Sequence, residues 1–274
     1  MVRIIINADD CGYSPEVNTA INHALAVGAI SSTTILANSK YLDEVKRMAE
    51  RYPNASFGIH LNLTEGESLT KSSVLAKYGI IDSEGKFVKG NSKRCSNPNN
   101  ELKDAIKKEW DAQLNLLTSE GFKLSHIDGH HHCHTWPGLE VVLVDLMHKY
   151  GLMKTRNRYK SPNIYFKDKV KQSIRAILIP FRAYSTTIQS MTEALFFYKK
   201  FNSAIDKGNI KSTDYFDSYE GLSGVLVKGL IDDCVVELMC HPGNPLYKTE
   251  EQALLNDQIG LKSHALQLIS YKEL

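Results

Sequence analysis

"RIIINADD", Arg3 to Asp10, is an unbroken apolar and β-branched run that ends in two adjacent carboxylates. A strand that buries both faces reads this way, and such strands belong to parallel sheets covered by helices. The next segment, "SPEVNTAINHALAVGAI", has helix signals at both ends. Ser14 is the N-cap, Pro15 takes the first helical position and Gly28 closes the helix. "STTILANS" reads as a second strand, "YLDEVKRMAERYP" as a second helix stopped by Pro53, and "ASFGIHLNLT" as a third strand. Strand and helix therefore alternate from the first residues, which predicts an α/β architecture.

The pattern lapses from Glu65 to Asn100, where polar turn-forming sequence such as "SEGKFVKGNSKRCSNPNN" predicts a long surface excursion near 65–100. It resumes with the helix "NELKDAIKKEWDAQLNLLTSEG", the strand "KLSHIDGH" and a helix from Pro137 to Tyr150. "CVVELMCHPG" is a further core strand and "HALQLISY" a closing one. Between them, Lys160 to Lys200 sets eight basic residues against Asp168 and Glu193, a net charge of +6. Apolar stretches ("AILIPF", "ALFFY") run through it, which predicts a basic helical insertion near 160–211. It would pack on the barrel or form a homodimer contact, or turn its cations toward an anionic substrate such as a phosphorylated sugar. No repeat or linker divides residues 1–274, so one domain is expected.

The totals exclude several classes of function. The 274 residues are 42% hydrophobic and 23% charged, ordinary for a globular protein, and the net charge is +2. Nothing global favours nucleic acid or an anionic membrane as partner. No window approaches the ~18 apolar residues of a membrane span. The five cysteines are odd in number and form no C-x-x-C pair, against a disulfide framework and in favour of a reducing compartment. "MVRIIINADD" turns acidic too early for a signal peptide, so a cytoplasmic location is expected.

Four groups with metal or acid–base chemistry sit at the C-terminal ends of these strands. They are Asp9 and Asp10, His60, the stretch "HIDGHHHCH" from His126 to His134, and His241. Contributions from several strand ends suit a closed or nearly closed barrel, whose active site forms at that face. One carboxylate with two imidazoles makes a catalytic divalent-metal set that leaves positions open, leaning to zinc over magnesium. "HIDGHHHCH" holds five of the ten histidines. Strand alternation would put His126, Asp128, His130, His132 and His134 on one face and His131 on the other, leaving Asp128, His130 and His132 all eligible.

Together "NADDCGYSPEVNTAI", "STTILANS", "GIHLNLT", "HIDGHHHCHTWPG", "ELMCHPG" and "LQLISYKEL" resemble, in order, the YdjC-like carbohydrate deacetylases, a family that includes chitooligosaccharide deacetylases. The resemblance implies a distorted (β/α) TIM-like barrel that uses one divalent metal ion, zinc or magnesium, to hydrolyse the N-acetyl group of an acetylated sugar. It implies Asp10, His60 and His130 as metal ligands, Asp9 as general base and His241 as general acid. Arg156, in "KTRNRY", would orient Asp9. His132 and Asp128 remain candidates for contacting substrate or orienting an imidazole. The family signature has an aromatic residue after the acid pair; Cys11 stands there, which would change the wall beside the metal. Two rivals use the same residues. One is a metal-dependent hydrolase of a phosphorylated disaccharide or phosphoester, the other a relative that binds metal or sugar without catalysis. A glycosidase would need a second acidic pair at a strand end, which the sequence lacks.

Overall fold

The computed structural model describes residues 2–160, 196–219, 234–257 and 266–274. Its seven strands are β1 (Val2–Cys11), β2 (Ser32–Ile35), β3 (Ser56–Leu61), β4 (Ile127–Gly129), β5 (Tyr215–Ser218), β6 (Val235–Cys240) and β7 (Leu266–Leu268). They form one sheet in the order β4-β3-β2-β1-β6-β5, and every pairing is parallel. β6 runs along one edge of β1. The other edge is shared, with β7 pairing Val2–Ile4 and β2 pairing Asn7–Cys11. The sheet curls toward closure through single parallel bridges, Ile127 to Thr155 and Lys154 to Lys211, the latter just before β5. A half-barrel finished by bridges instead of full ladders is the distorted TIM-like barrel that the sequence implied, in loose form.

Alternation along β1 sorts the interior from the helical layer. Ile4, Ile6 and Ala8 join the main core, with Val17, Ile21 and Leu25 of α1 (Pro15–Ala26) and Val45 and Met48 of α2 (Leu42–Arg51). Each fully buried Ile or Leu contributes roughly 1.5–3 kcal/mol of transfer free energy. Ile5 belongs to a separate small apolar group with Val235, Ile269 and Tyr271. That group fills the barrel near the strand starts. Asn7 and Asp9, next in phase with Ile5, carry the interior from apolar to acidic toward the strand ends.

α1 begins and ends as its sequence signals require, with Ser14 Oγ accepting from the Val17 amide and Gly28 in the left-handed region at φ 69°. The excursion near 65–100 departs from expectation. It forms two short helices, α3 (Ser73–Lys77) and α4 (Asn91–Arg94), and buries Leu75, Ile80, Ile81, Phe87 and Cys95 in the main core. Glu109, on α5 (Asn100–Ser119), secures it by accepting from Ser68, from the amides of Leu69 and Thr70, and from the Thr70 hydroxyl. Its polar residues serve as turns and caps around apolar side chains too widely spaced to show a period.

Of the expected basic insertion, residues 161–195 lie outside the described residues. Residues 196–207 are helical and bury Phe201 and Ile205. The expected closing strand is described only from Leu266, and β7 spans Leu266–Leu268. Among the described residues, no helix is long and apolar enough to cross a membrane, and all five cysteines are buried.

Gly58 in β3 faces the His126 ring, and a Cβ there would come within 2.5 Å of it. His126 has little freedom to retreat, since its ring stacks on Tyr271 at 3.7 Å. Gly58→Ala should destabilise the fold by about 1–3 kcal/mol, the usual range for overpacking. A urea midpoint equal to that of the wild type would contradict this packing.

Candidate active site

Two adjacent aspartates on a regular strand would point to opposite faces. Asp9 and Asp10 escape that rule. The β1–β2 register shifts between Ala8 and Cys11, and Asp10 adopts φ 65°. The irregularity re-aims Asp10, a use of bulges common beside active sites. Asp10 Oδ1 lies 3.3 Å from His60 Nε2 and 2.8 Å from His130 Nδ1. Asp9 stays in phase with the strand and lies deeper, 3.9 Å from His60 Nε2.

His60 is oriented from behind. Its Nδ1 lies 2.6 Å from Asp128 Oδ1 and 3.2 Å from Thr34 Oγ1, which leaves Nε2 for the site. The pairing follows from register, since His60 on β3 and Asp128 on β4 are ladder partners. A carboxylate behind an imidazole fixes the ring's tautomer and raises its basicity, the common support for a metal-binding histidine.

Asp10, His60 and His130 each offer a ligand atom within 4.8 Å of the others. Donors about 2.0–2.2 Å from a zinc ion stand roughly 3–3.5 Å apart, so the observed spacing suits a cation. Asp10 Oδ1 is buried without a hydrogen bond despite its two close nitrogens. A cation placed between them would use that oxygen and both nitrogens. The electrostatics agree. Burial opposes charge on His60, but Asp128 and Asp9 outweigh it and push the ring up to about 10. Burial likewise opposes charge on His130, yet Asp10 and Glu65 raise it to about 9. The carboxylates call for positive charge between them, and a divalent ion would supply it. The residues present therefore fit a metal.

Asp9 is held apart by Arg156, which enters the barrel where residues 154–156 bridge β4 toward β5. Its NH1 and NH2 donate to Asp9 Oδ2 at 2.7 Å and Oδ1 at 2.6 Å. Its Nε donates to Glu237 Oε1 at 2.7 Å, and NH2 lies 3.0 Å from Asp128 Oδ2. Burial alone would raise the Asp9 carboxyl. The guanidinium outweighs it and holds Asp9 well below the usual carboxylate range. Burial pushes Glu237 the other way, up to about 7, against the pull of Arg156.

His241 follows β6. Its backbone N–H donates to Glu250 Oε1, its Nδ1 lies 3.4 Å from the same oxygen, and its ring stacks on Tyr247 at 4.3 Å. Burial would lower this imidazole, but Glu250, with Asp9 and Asp10, raises it overall.

The face assignment for "HIDGHHHCH" fails. β4 stops at Gly129, and His130 to Thr135 form a 3-10 turn in which His131 and His132 hold φ of 50° and 55°. Alternation does not apply beyond His130. His131 is exposed beside His130, with its Nδ1 3.0 Å from Thr64 Oγ1. His132 turns to Phe216, its ring kept neutral by burial and Arg156. His134 is buried against Phe201, with Nε2 3.2 Å from the Arg156 carbonyl. Cys11 packs in the main core, and burial pushes its thiol up to about 12.

Sequence reasoning missed Thr34, Glu65, Glu237, Glu250 and Tyr271. Glu237 had a signal, a carboxylate inside the apolar strand "VVELMC". The other four had none, because each meets its partner only through tertiary packing.

The family model described as "YdjC-like protein" matches residues 3–267. A protein named carbohydrate deacetylase from Halalkalibacterium halodurans is 31% identical over 161 residues, covering 59% of this chain and 66% of that one. A carbohydrate deacetylase from Brevibacillus brevis is 33% identical over 149 residues, covering 54% and 57%. The chain thus spans somewhat less than two thirds of the length of these relatives. An Enterococcus faecalis crystal structure, provisionally assigned to cellobiose-phosphate cleavage, aligns at TM-score 0.67 and 21% identity over 99% of this chain and 98% of that one. At that identity it bears on the fold alone.

The geometry separates the two aspartates experimentally. Asp9→Asn should leave metal stoichiometry unchanged, while His130→Ala should abolish metal binding and His131→Ala should not. Loss of metal from Asp9→Asn, measured by elemental analysis after dialysis, would make Asp9 a ligand and contradict the assignment.

Proposed function

The chain belongs to the YdjC-like family, and on that premise we propose that it hydrolyses the N-acetyl group of an acetylated amino sugar or short oligosaccharide, releasing acetate. The relatives' name, carbohydrate deacetylase, supports the substrate class. The observation that carries the reading is the division of the acid pair. Asp10 faces two imidazoles, and Asp9 is held out of that set by Arg156. A site that only bound a metal would have no use for the second carboxylate.

A divalent ion, zinc or magnesium, held by Asp10, His60 and His130, would lower the pKa of a bound water and polarise the acetyl carbonyl. The chain's own groups do the rest. Asp9 Oδ1 already accepts from Arg156 and from Asn7 Nδ2, whereas Oδ2 accepts only from Arg156 NH1. Oδ2 therefore keeps a lone pair, and it is the atom that takes a proton from water as the acetyl carbon is attacked. Because Arg156 keeps Asp9 ionised, the base is ready throughout the neutral range. His241 donates a proton to the departing sugar nitrogen, turning a poor amide leaving group into an amine.

The raised imidazole of His241 keeps its acid form to higher pH than a free histidine would. Glu250→Gln should therefore move the alkaline limb of the activity profile to lower pH while metal content holds; an unmoved limb would remove His241 as the acid. The reading as a whole is tested by acetate release from N-acetylated mono- and disaccharides and phosphorylated disaccharides, with metal removed and restored. Acetate should appear only with metal present. Phosphate or free monosaccharide appearing without acetate would establish the rival hydrolase instead.

A further inference from the structure

The Arg156 fork that holds Asp9 is itself held from the opposite end of the barrel. Arg156 Nε donates to Glu237 Oε1, and Glu237 Oε2 accepts from the Tyr271 hydroxyl. Tyr271 belongs to the turn Tyr271–Glu273 that follows β7 at the strand-start end, far along the chain from the acid pair. We propose that Glu237 and Tyr271 are positioning residues for the hydrolytic base, so that the turn after β7 sets the orientation of Asp9 through Arg156.

Three observations support this. First, the path is dry: Tyr271, Glu237 and Arg156 are each 0% exposed and Asp9 is 3% exposed. No bulk water can substitute for a missing partner, so each bond constrains the next. Second, guanidinium geometry transmits orientation. The fork is planar and rigid, so an anchor at Nε fixes the plane in which NH1 and NH2 meet Asp9. A carboxylate free to turn at Nε would let that plane rotate. Third, the turn is fastened on several sides. Lys154 Nζ donates to the Tyr271 and Lys272 carbonyls, the Lys272 amide donates to Ser56 Oγ, and Ser270 and Glu273 form a reciprocal cap. The Tyr271 ring also lies flat on His126 at 3.7 Å and an interplanar angle of 9°. An apolar ring would have plugged the barrel equally well. The hydroxyl is the part that packing does not require, and it is spent on Glu237.

Glu237 also shares the guanidinium's charge. Arg156 faces Asp9, Asp128 and Glu237 at once.

The inference rests on Asp9 acting as the base of acetyl hydrolysis, and the experiment keeps the two apart. Tyr271→Phe removes one oxygen and keeps the ring and its stack. Glu237→Met keeps the length of the side chain and removes the acceptor at Arg156 Nε. Both variants, with the double variant, are compared with the wild-type holoenzyme for kcat, KM, bound metal and thermal midpoint. Misplacing a reacting group by about 1 Å costs on the order of a hundredfold, so kcat should fall about ten- to a hundredfold with KM and bound metal unchanged. The double variant should be no slower than the worse single one, because both lesions act through the same link. A Tyr271→Phe enzyme with wild-type kcat, or two losses that simply multiply, overturns the proposal while an active wild type upholds the deacetylase reading. A fall confined to the thermal midpoint would likewise reduce Tyr271 to a plug. A metal-loaded wild type that releases no acetate overturns both.

Discussion

The Arg156 guanidinium, fully buried and shared by Asp9, Asp128 and Glu237, is the interaction on which the rest of the site depends. Carboxylates this deep are tolerated only when paired, and removing one partner of a buried pair costs roughly 3–5 kcal/mol. One cation here serves three anions. Its placement also sorts the carboxylates at the strand ends: Asp9 is bound on both oxygens and fixed, Asp128 is steadied behind His60, and Asp10, which it does not reach, is left to the imidazoles. Without the guanidinium, Asp9 and Asp10 would be two similar carboxylates beside one metal. With it, the two differ in kind, which is what the proposed division into base and ligand requires.

The backbone makes that sorting possible. A parallel barrel brings the ends of β1, β3, β4 and β6 to one mouth, but alternation would admit only one of two adjacent side chains. The register shift at the end of β1 and the left-handed Asp10 admit the second. A similar irregularity ends β4, where His131 and His132 take positive φ and let the chain turn sharply after His130. Such conformations cost about 1–3 kcal/mol each and persist where the surroundings dictate them. Three of them fall within this one site.

Much of this was legible in the sequence. "RIIINADD" announced a buried parallel strand with acid at its end, and Ser14, Pro15 and Gly28 marked the first helix. The strand-end positions of Asp9, Asp10, His60, His130 and His241 pointed to one mouth because topology, once parallel, decides where strand ends go. The reading failed where local backbone geometry overrode pattern. Alternation could not sort "HIDGHHHCH", because the strand ends inside it. The excursion near 65–100 read as surface because Leu75, Ile80, Ile81 and Phe87 are too widely spaced to show a period. Tyr271 matters through a contact between segments distant in sequence, and Glu250 through a fold of the chain that returns it to His241 nine residues earlier; a single sequence prints neither.

If the guanidinium fork separates base from ligand, charge alone should not replace it. Arg156→Lys retains a cation but loses the fixed two-point grip on Asp9 and the anchor at Glu237. Measured together, bound metal and the rate of acetate release should diverge: metal near the wild-type stoichiometry, and kcat lower by about a hundredfold or more. A lysine variant that turns over at the wild-type rate would contradict the account.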